Sequence, residues 1–118
     1  MGLYDAVPVP MMEPGDVVKY LRDRLPQLAH LLGAPENPVE PYSSSGLLAE
    51  EMLRRRADSG LLESLCSVMN EMAVSREFWM QEVLGDLLVG LVHDEAFVAK
   101  LRPHLNAQAS KKLEAAKS

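Results

Sequence analysis

Apolar side chains recur along this chain at spacings of three and four, the period of a helix with one buried face. Residues 61–73 carry the cleanest example. Leu61, Leu62, Leu65, Cys66, Val68, Met69 and Met72 fall on one broad side, and Glu63, Ser67, Asn70 and Glu71 on the other. The next segment, 76–92, is apolar around most of its circumference, through Phe78, Met80, Val83, Leu84, Leu87, Leu88, Val89, Leu91 and Val92. A helix of that kind is contacted on several sides, so it is expected at the centre, with the core around Leu84, Leu87, Leu88 and Leu91. Gly85 and Gly90 weaken it as a helix, which is tolerable where another helix must approach closely.

The remaining elements follow from their stop and start signals. Asp16 is expected to cap a first helix with Val17, Val18, Leu21 and Leu25 inward, broken before Pro26. Pro26 then opens a short second helix that Gly33 closes. A helix from Ser44 or Ser45 to about residue 57 buries Leu48, Met52 and Leu53 and ends at Ser59 and Gly60. Its Glu50–Arg54 and Glu51–Arg55 pairs belong to a solvated face. Ser75 caps the central helix, Asp94 a fifth segment to Leu101, and Asn106, beyond Pro103, a last helix holding Leu113. Nowhere do apolar and polar residues alternate strictly over five positions, so no strand is expected. The fold class is all-α, an irregular bundle or short helical-hairpin stack of five to seven helices.

Three prolines and two glycines in residues 1–15 predict an extended N-terminal arm, and residues 16–118 a single helical domain. Within it, the three prolines and two serines of 34–44 mark an internal linker. The length of 118 residues suits one domain. A lone cysteine leaves no internal disulfide and no cysteine-cluster metal site. No basic stretch precedes an apolar one at the start, Ala6 stands where a myristoylation motif wants Ser or Thr, and the apolar run at 83–92 is too short to span a bilayer. A cytoplasmic protein without membrane attachment is expected.

Charge is uneven along the chain. Residues 57–99 hold eight acids against one base, Arg76, whereas 100–118 hold five bases and one acid, Glu114. An acidic body repels phosphate backbones, and the basic tail lacks aromatic residues for stacking, so nucleic acid is not the expected partner. The tail's cations suit the C-terminal end of a last helix.

Candidate chemistry is sparse. Trp79, Glu82, Asp86 and His93 share one stripe of the central helix. Glu82 and Asp86, one turn apart, have the spacing to hold a hard cation or share a proton. His93 lies about 10 Å further along the axis and cannot join them at one metal. The plainer reading of the stripe is the exposed edge of a buried helix. His30 and His104 have no ligand-spaced partner, and neither a His-Glu-x-x-His nor a Cys-x-x-Cys run occurs. Cys66, on the apolar face with Leu62 and Met69, is read as a structural thiol. The serines at 43–45 fit helix capping, with neither a nucleophile elbow nor a phosphate loop around them. The seven methionines are core filler or an adaptable binding groove. No cofactor, metal site or catalytic residue is expected.

The runs MNEMA at 69–73, MQEVL at 80–84 and KLRPHL at 100–105, with a short turn between the first two, resemble a family of small all-α bacterial proteins classed as a domain of unknown function. That family is similar to the single-domain immunity proteins that neutralise toxins exchanged between neighbouring bacteria. The resemblance spans residues 42–113 and implies a protein-binding role. Where the family carries an acidic residue late in the central helix this chain has Gly90, so no functional residue is carried across.

The expected function is therefore non-enzymatic binding of a protein, such as a basic toxin, through an acidic surface of Glu63, Glu71, Trp79, Glu82, Asp86 and His93. The alternative is a regulatory or scaffolding helical module that self-associates. A metal-dependent hydrolase built on Glu82 and Asp86 ranks last, for want of ligands.

Overall fold

Three of the prolines that break the sequence pattern prove to start helices. A helix's first residue has no use for its backbone N–H, and proline's fixed φ suits that place. In a computed structural model of the chain, which describes residues 12–117, Pro14 opens α1 (Pro14–Arg24), Pro26 a 3-10 turn (Pro26–Leu31), and Pro41 opens α2 (Pro41–Arg54). Four further helical segments follow: α3 (Ser59–Ala73), α4 (Phe78–Leu91), α5 (Glu95–Leu101) with a 3-10 extension (Arg102–His104), and α6 (Ala107–Ala116). The fold is all-α. No helix among the described residues is long and apolar enough to cross a membrane.

The differences from the expected elements have local causes. The arm expected over residues 1–15 lies, as far as residue 11, outside the described residues, and Pro14 and Gly15 belong to the first turn of α1. Asp16 is not the cap. It stands at the third helical position, where its carboxylate accepts the Glu13 N–H at 3.0 Å. The stretch 34–44, expected as an internal linker, carries backbone pairing and ends inside α2. Gly33–Ala34 (β1) and Asn37–Pro38 (β2) pair antiparallel, Gly33 opposite Pro38, in a two-residue ladder that alternation over five positions could not reveal. Gly33 has φ +79°, and a Cβ there would stand 2.8 Å from the Asn37 carbonyl oxygen, so both backbone and space demand glycine. The Arg22 guanidinium secures this corner by donating to the carbonyls of Leu32, at 3.1 Å, and Gly33.

Ser44 and Ser45 lie inside α2 rather than at its cap, and their hydroxyls donate to the carbonyls of Pro41 and Tyr42 three residues back. Glu51 is buried instead of solvated, held by Arg54 and Arg55. Ser59 begins α3 rather than ending α2, because Asp58 caps α3 by accepting the Leu61 N–H at 3.0 Å. Glu77, not Ser75, precedes α4; the Ser75 hydroxyl accepts the Glu77 N–H at 3.1 Å. The Gln81 amide closes the α3–α4 turn by donating to the carbonyls of Met72, Ala73 and Ser75, the last at 2.7 Å. Asp94 and Asn106 do cap α5 and α6.

The core lies around α4, which touches α1, α2, α3 and α6. Val83, Leu84, Leu87, Leu88 and Leu91 are buried there with Leu21 of α1, Leu48 and Met52 of α2, and Leu65, Met69 and Met72 of α3. The most extensive contact is between α2 and α4. Gly90 permits it, since a Cβ on Gly90 would stand 2.8 Å from the Ala49 Cβ.

Candidate functional site

The α2–α4 contact that builds the core also sets the first turn of α2 beside the outer stripe of α4. Tyr42 follows Pro41 at the start of α2, and its ring meets the Trp79 ring edge to face, with centroids 5.7 Å apart and planes at 64°. Phe78 adds a second edge contact to Trp79, at 5.2 Å and 82°. The Tyr42 hydroxyl donates to Glu82 Oε1 at 2.7 Å. That hydrogen bond, foremost, raises the phenol above its ordinary pKa, with burial adding to it. One turn on, the Ser45 hydroxyl meets both the Asp86 carboxylate and the Tyr42 carbonyl.

Both carboxylates are thus positioned by hydroxyl groups. Among the described residues no lysine or arginine comes within ion-pair distance of Glu82 or Asp86. Nor does a third carboxylate, histidine or thiol join them in a metal-binding group. They line a groove of about 360 Å³ between α4 and α6, together with Tyr42, Gln81, Gly85, Val89, Lys112, Ala115 and Ala116. Tyr42, Phe78 and Val89 are about half exposed, an apolar margin beside the two charges.

The acidic surface expected from the sequence is divided by the fold. Trp79, Glu82 and Asp86 come together, but the other three residues do not join them. Glu71 turns from the solvent stripe toward α1, where it accepts the Tyr20 hydroxyl at 2.6 Å and pairs with Arg24. The Tyr20 hydrogen bond and the Arg24 guanidinium hold the Glu71 carboxyl below its usual range, while burial foremost pushes the Tyr20 phenol upward. Glu63 is exposed on α3 and takes no part in the groove. His93 lies past the end of α4, exposed in the turn before Asp94, and lines no part of it either. Sequence spacing singles out none of the groove's other contributors, among them Tyr42, Gly85, Val89 and Lys112, as site residues. Tyr42 is hidden among turn-forming residues, and only recognising Pro41 as a helix start would have placed it against α4.

Cys66 is buried, and its burial, with a lesser contribution from Glu63, pushes the thiol up to about 11. Against the ordinary 9.0 this leaves about a hundredfold less thiolate at neutral pH. Folded protein is therefore expected to react with a thiol reagent at least about a hundredfold more slowly than the urea-unfolded chain. Equal rates in the two states would mean an accessible, activated cysteine.

Gly90 is a close interhelical contact with no room for a side chain. No family model, curated protein or solved structure matches the chain.

Proposed function

We propose that this chain is a non-enzymatic, immunity-type protein that binds and occludes a basic protein partner through the Tyr42–Trp79–Glu82–Asp86 face. One observation carries the reading: among the described residues no cation pairs with either carboxylate, and both stand beside half-exposed aromatic rings. Several other carboxylates are matched, Glu71 by Arg24, Asp94 by Arg56 and Glu114 by Arg102. Aromatic side chains that bury large areas at little entropic cost, next to unpaired charge, are the usual anchors of a protein interface. Charge of one sign accelerates the approach of a partner of the other. The resemblance to an immunity-like family points to the same role, and the partner to test is a basic toxin domain, to be sought among the genes neighbouring this one.

The measurement is the association rate of that toxin domain with the native chain and with a Glu82→Lys/Asp86→Lys double variant. At low salt the double variant is expected to associate about tenfold or more slowly, its helical spectrum unchanged, and high salt is expected to erase most of the difference. A rate indifferent both to salt and to the reversal would sink the acidic-docking reading. If the chain instead forms a salt-insensitive dimer that Phe78→Ser disrupts, self-association through the apolar margin takes its place.

A further inference from the structure

The outer wall of the groove is α6, and the hydrogen bonds that fasten this helix to the rest of the chain lie at one end. Asn106 caps it, accepting the Ala109 N–H at 2.8 Å. Asn70 of α3 clamps the same point: its side-chain oxygen accepts the Asn106 N–H at 2.8 Å, and its amide donates to the His104 carbonyl at 2.9 Å. Beyond that end, apart from the Glu114–Arg102 ion pair, no hydrogen bond among the described residues ties it down, and Leu113, buried, and Ala116, partly buried, are what hold it to the core. α6 buries only Ala109 and Leu113 of its ten residues, where α3 buries eight of fifteen. Its second half has open grooves on both flanks, about 360 Å³ on the Tyr42 side and about 380 Å³ on the Ala73 side, with Gln81, Lys112 and Ala115 lining both. Side chains facing such space lack partner atoms, so little dispersion energy holds them down. The ion pairs of Glu114 with Arg102 and Lys117 are exposed and contribute little. A helix of ten residues does not persist in water once undocked.

The charges on this helix are opposite to those of the groove. α6 and the residue after it carry Lys111, Lys112 and Lys117, and Lys112 lines the same groove as Glu82 and Asp86. We propose that α6 is an autoinhibitory latch: hinged at Asn106, it opens without unfolding the rest of the chain and competes, through Lys112, with a cationic partner for the groove. The hinge stands on the geometry alone, whereas the competition rests on the docking reading above.

Native-state hydrogen exchange on the full chain separates the two. The amides of residues 111–116 are expected to exchange at least about tenfold faster than those of Leu84, Leu87 and Leu88, with little dependence on low denaturant. Leu28→Ala, a core change in a segment remote from α6, is expected to speed exchange in α4 by tenfold or more while leaving α6 unaltered. Equal acceleration in both helices would overturn the latch, because α6 would then open only with the whole molecule. A capped hexa-arginine peptide at low salt is expected to speed α6 exchange several-fold by binding the open form, and Glu82→Gln/Asp86→Asn to abolish that effect. If the peptide binds through Glu82 and Asp86 yet leaves α6 exchange unchanged, the competition is wrong and the docking reading stands. If α6 opens independently but the peptide does not bind, the docking reading and the competition both fail and only the hinge survives.

Discussion

Replacing Leu88 by alanine is expected to destabilise the chain by ~2–5 kcal/mol. Leu88 is 1% exposed, in the helix that four others surround, so truncation removes buried methyl groups and leaves a cavity that no single neighbour can fill. The adjacent Val89 is an internal control. It is 54% exposed on the groove, and Val89→Ala is expected to change stability by less than ~0.5 kcal/mol. Urea unfolding of the two variants under one set of conditions measures both. Comparable losses, or a larger loss at Val89, would mean that the rotation of α4 about its axis is wrong, and with it the placement of Glu82 and Asp86.

That rotation was partly legible in the sequence, and the reason is the length of the apolar segments. Over 61–73 and 76–92 the three-four spacing persists for several turns, so the face defined by Leu65, Met69 and Met72, and that by Leu84, Leu88 and Leu91, is overdetermined. The caps at Asp94 and Asn106 were equally plain, because a short polar side chain directly precedes an apolar-periodic run. Failures cluster at proline and serine. Pro14 and Pro41 read as breakers in the pattern, although the logic that makes Pro26 a helix start applies to them equally. The Ser44 hydroxyl is satisfied within α2 and that of Ser45 is shared between the Tyr42 carbonyl and Asp86 of α4, so burial overrides their helix-opposing tendency.

The candidate site was legible along one helix and not between helices. Spacing alone puts Trp79, Glu82 and Asp86 on one stripe, but it says nothing of what faces them from α2 or α6. Glu71 illustrates the limit. Its position on the polar side of α3 is what the pattern implies, yet Tyr20 and Arg24, about fifty residues earlier in the chain, occupy that side. Segmental charge is equally blind to such pairing: the count of eight acids against one base in 57–99 omits Arg24 and Arg56, which lie outside the segment and neutralise Glu71 and Asp94. Glu82 and Asp86, whose neighbours are hydroxyls, are among those that keep the character the count suggested.

The two glycines of α4 are expected to respond in opposite directions to the same substitution. Gly85→Ala should stabilise by about 0.5–1 kcal/mol, since glycine in a helix interior loses more backbone freedom than alanine. Nothing lies within 4 Å of a Cβ at that position, so the methyl group meets only open groove. Gly90→Ala gains the same propensity but places its Cβ 2.8 Å from that of Ala49, closer than two such carbons can stand. The obstruction is short and fixed to the α2 backbone, so the helices themselves must separate along their most extensive contact. Overpacking of this kind typically costs ~1–3 kcal/mol, which outweighs the propensity gain. Combining Gly90→Ala with Ala49→Gly isolates the contact: the reciprocal change removes the clash, and the double variant should recover more than the two single effects sum to. Thermal or urea unfolding reads all four proteins. Should Gly90→Ala stabilise as Gly85→Ala does, α2 and α4 do not cross at Ala49, and the position of Tyr42 over Glu82 loses its support.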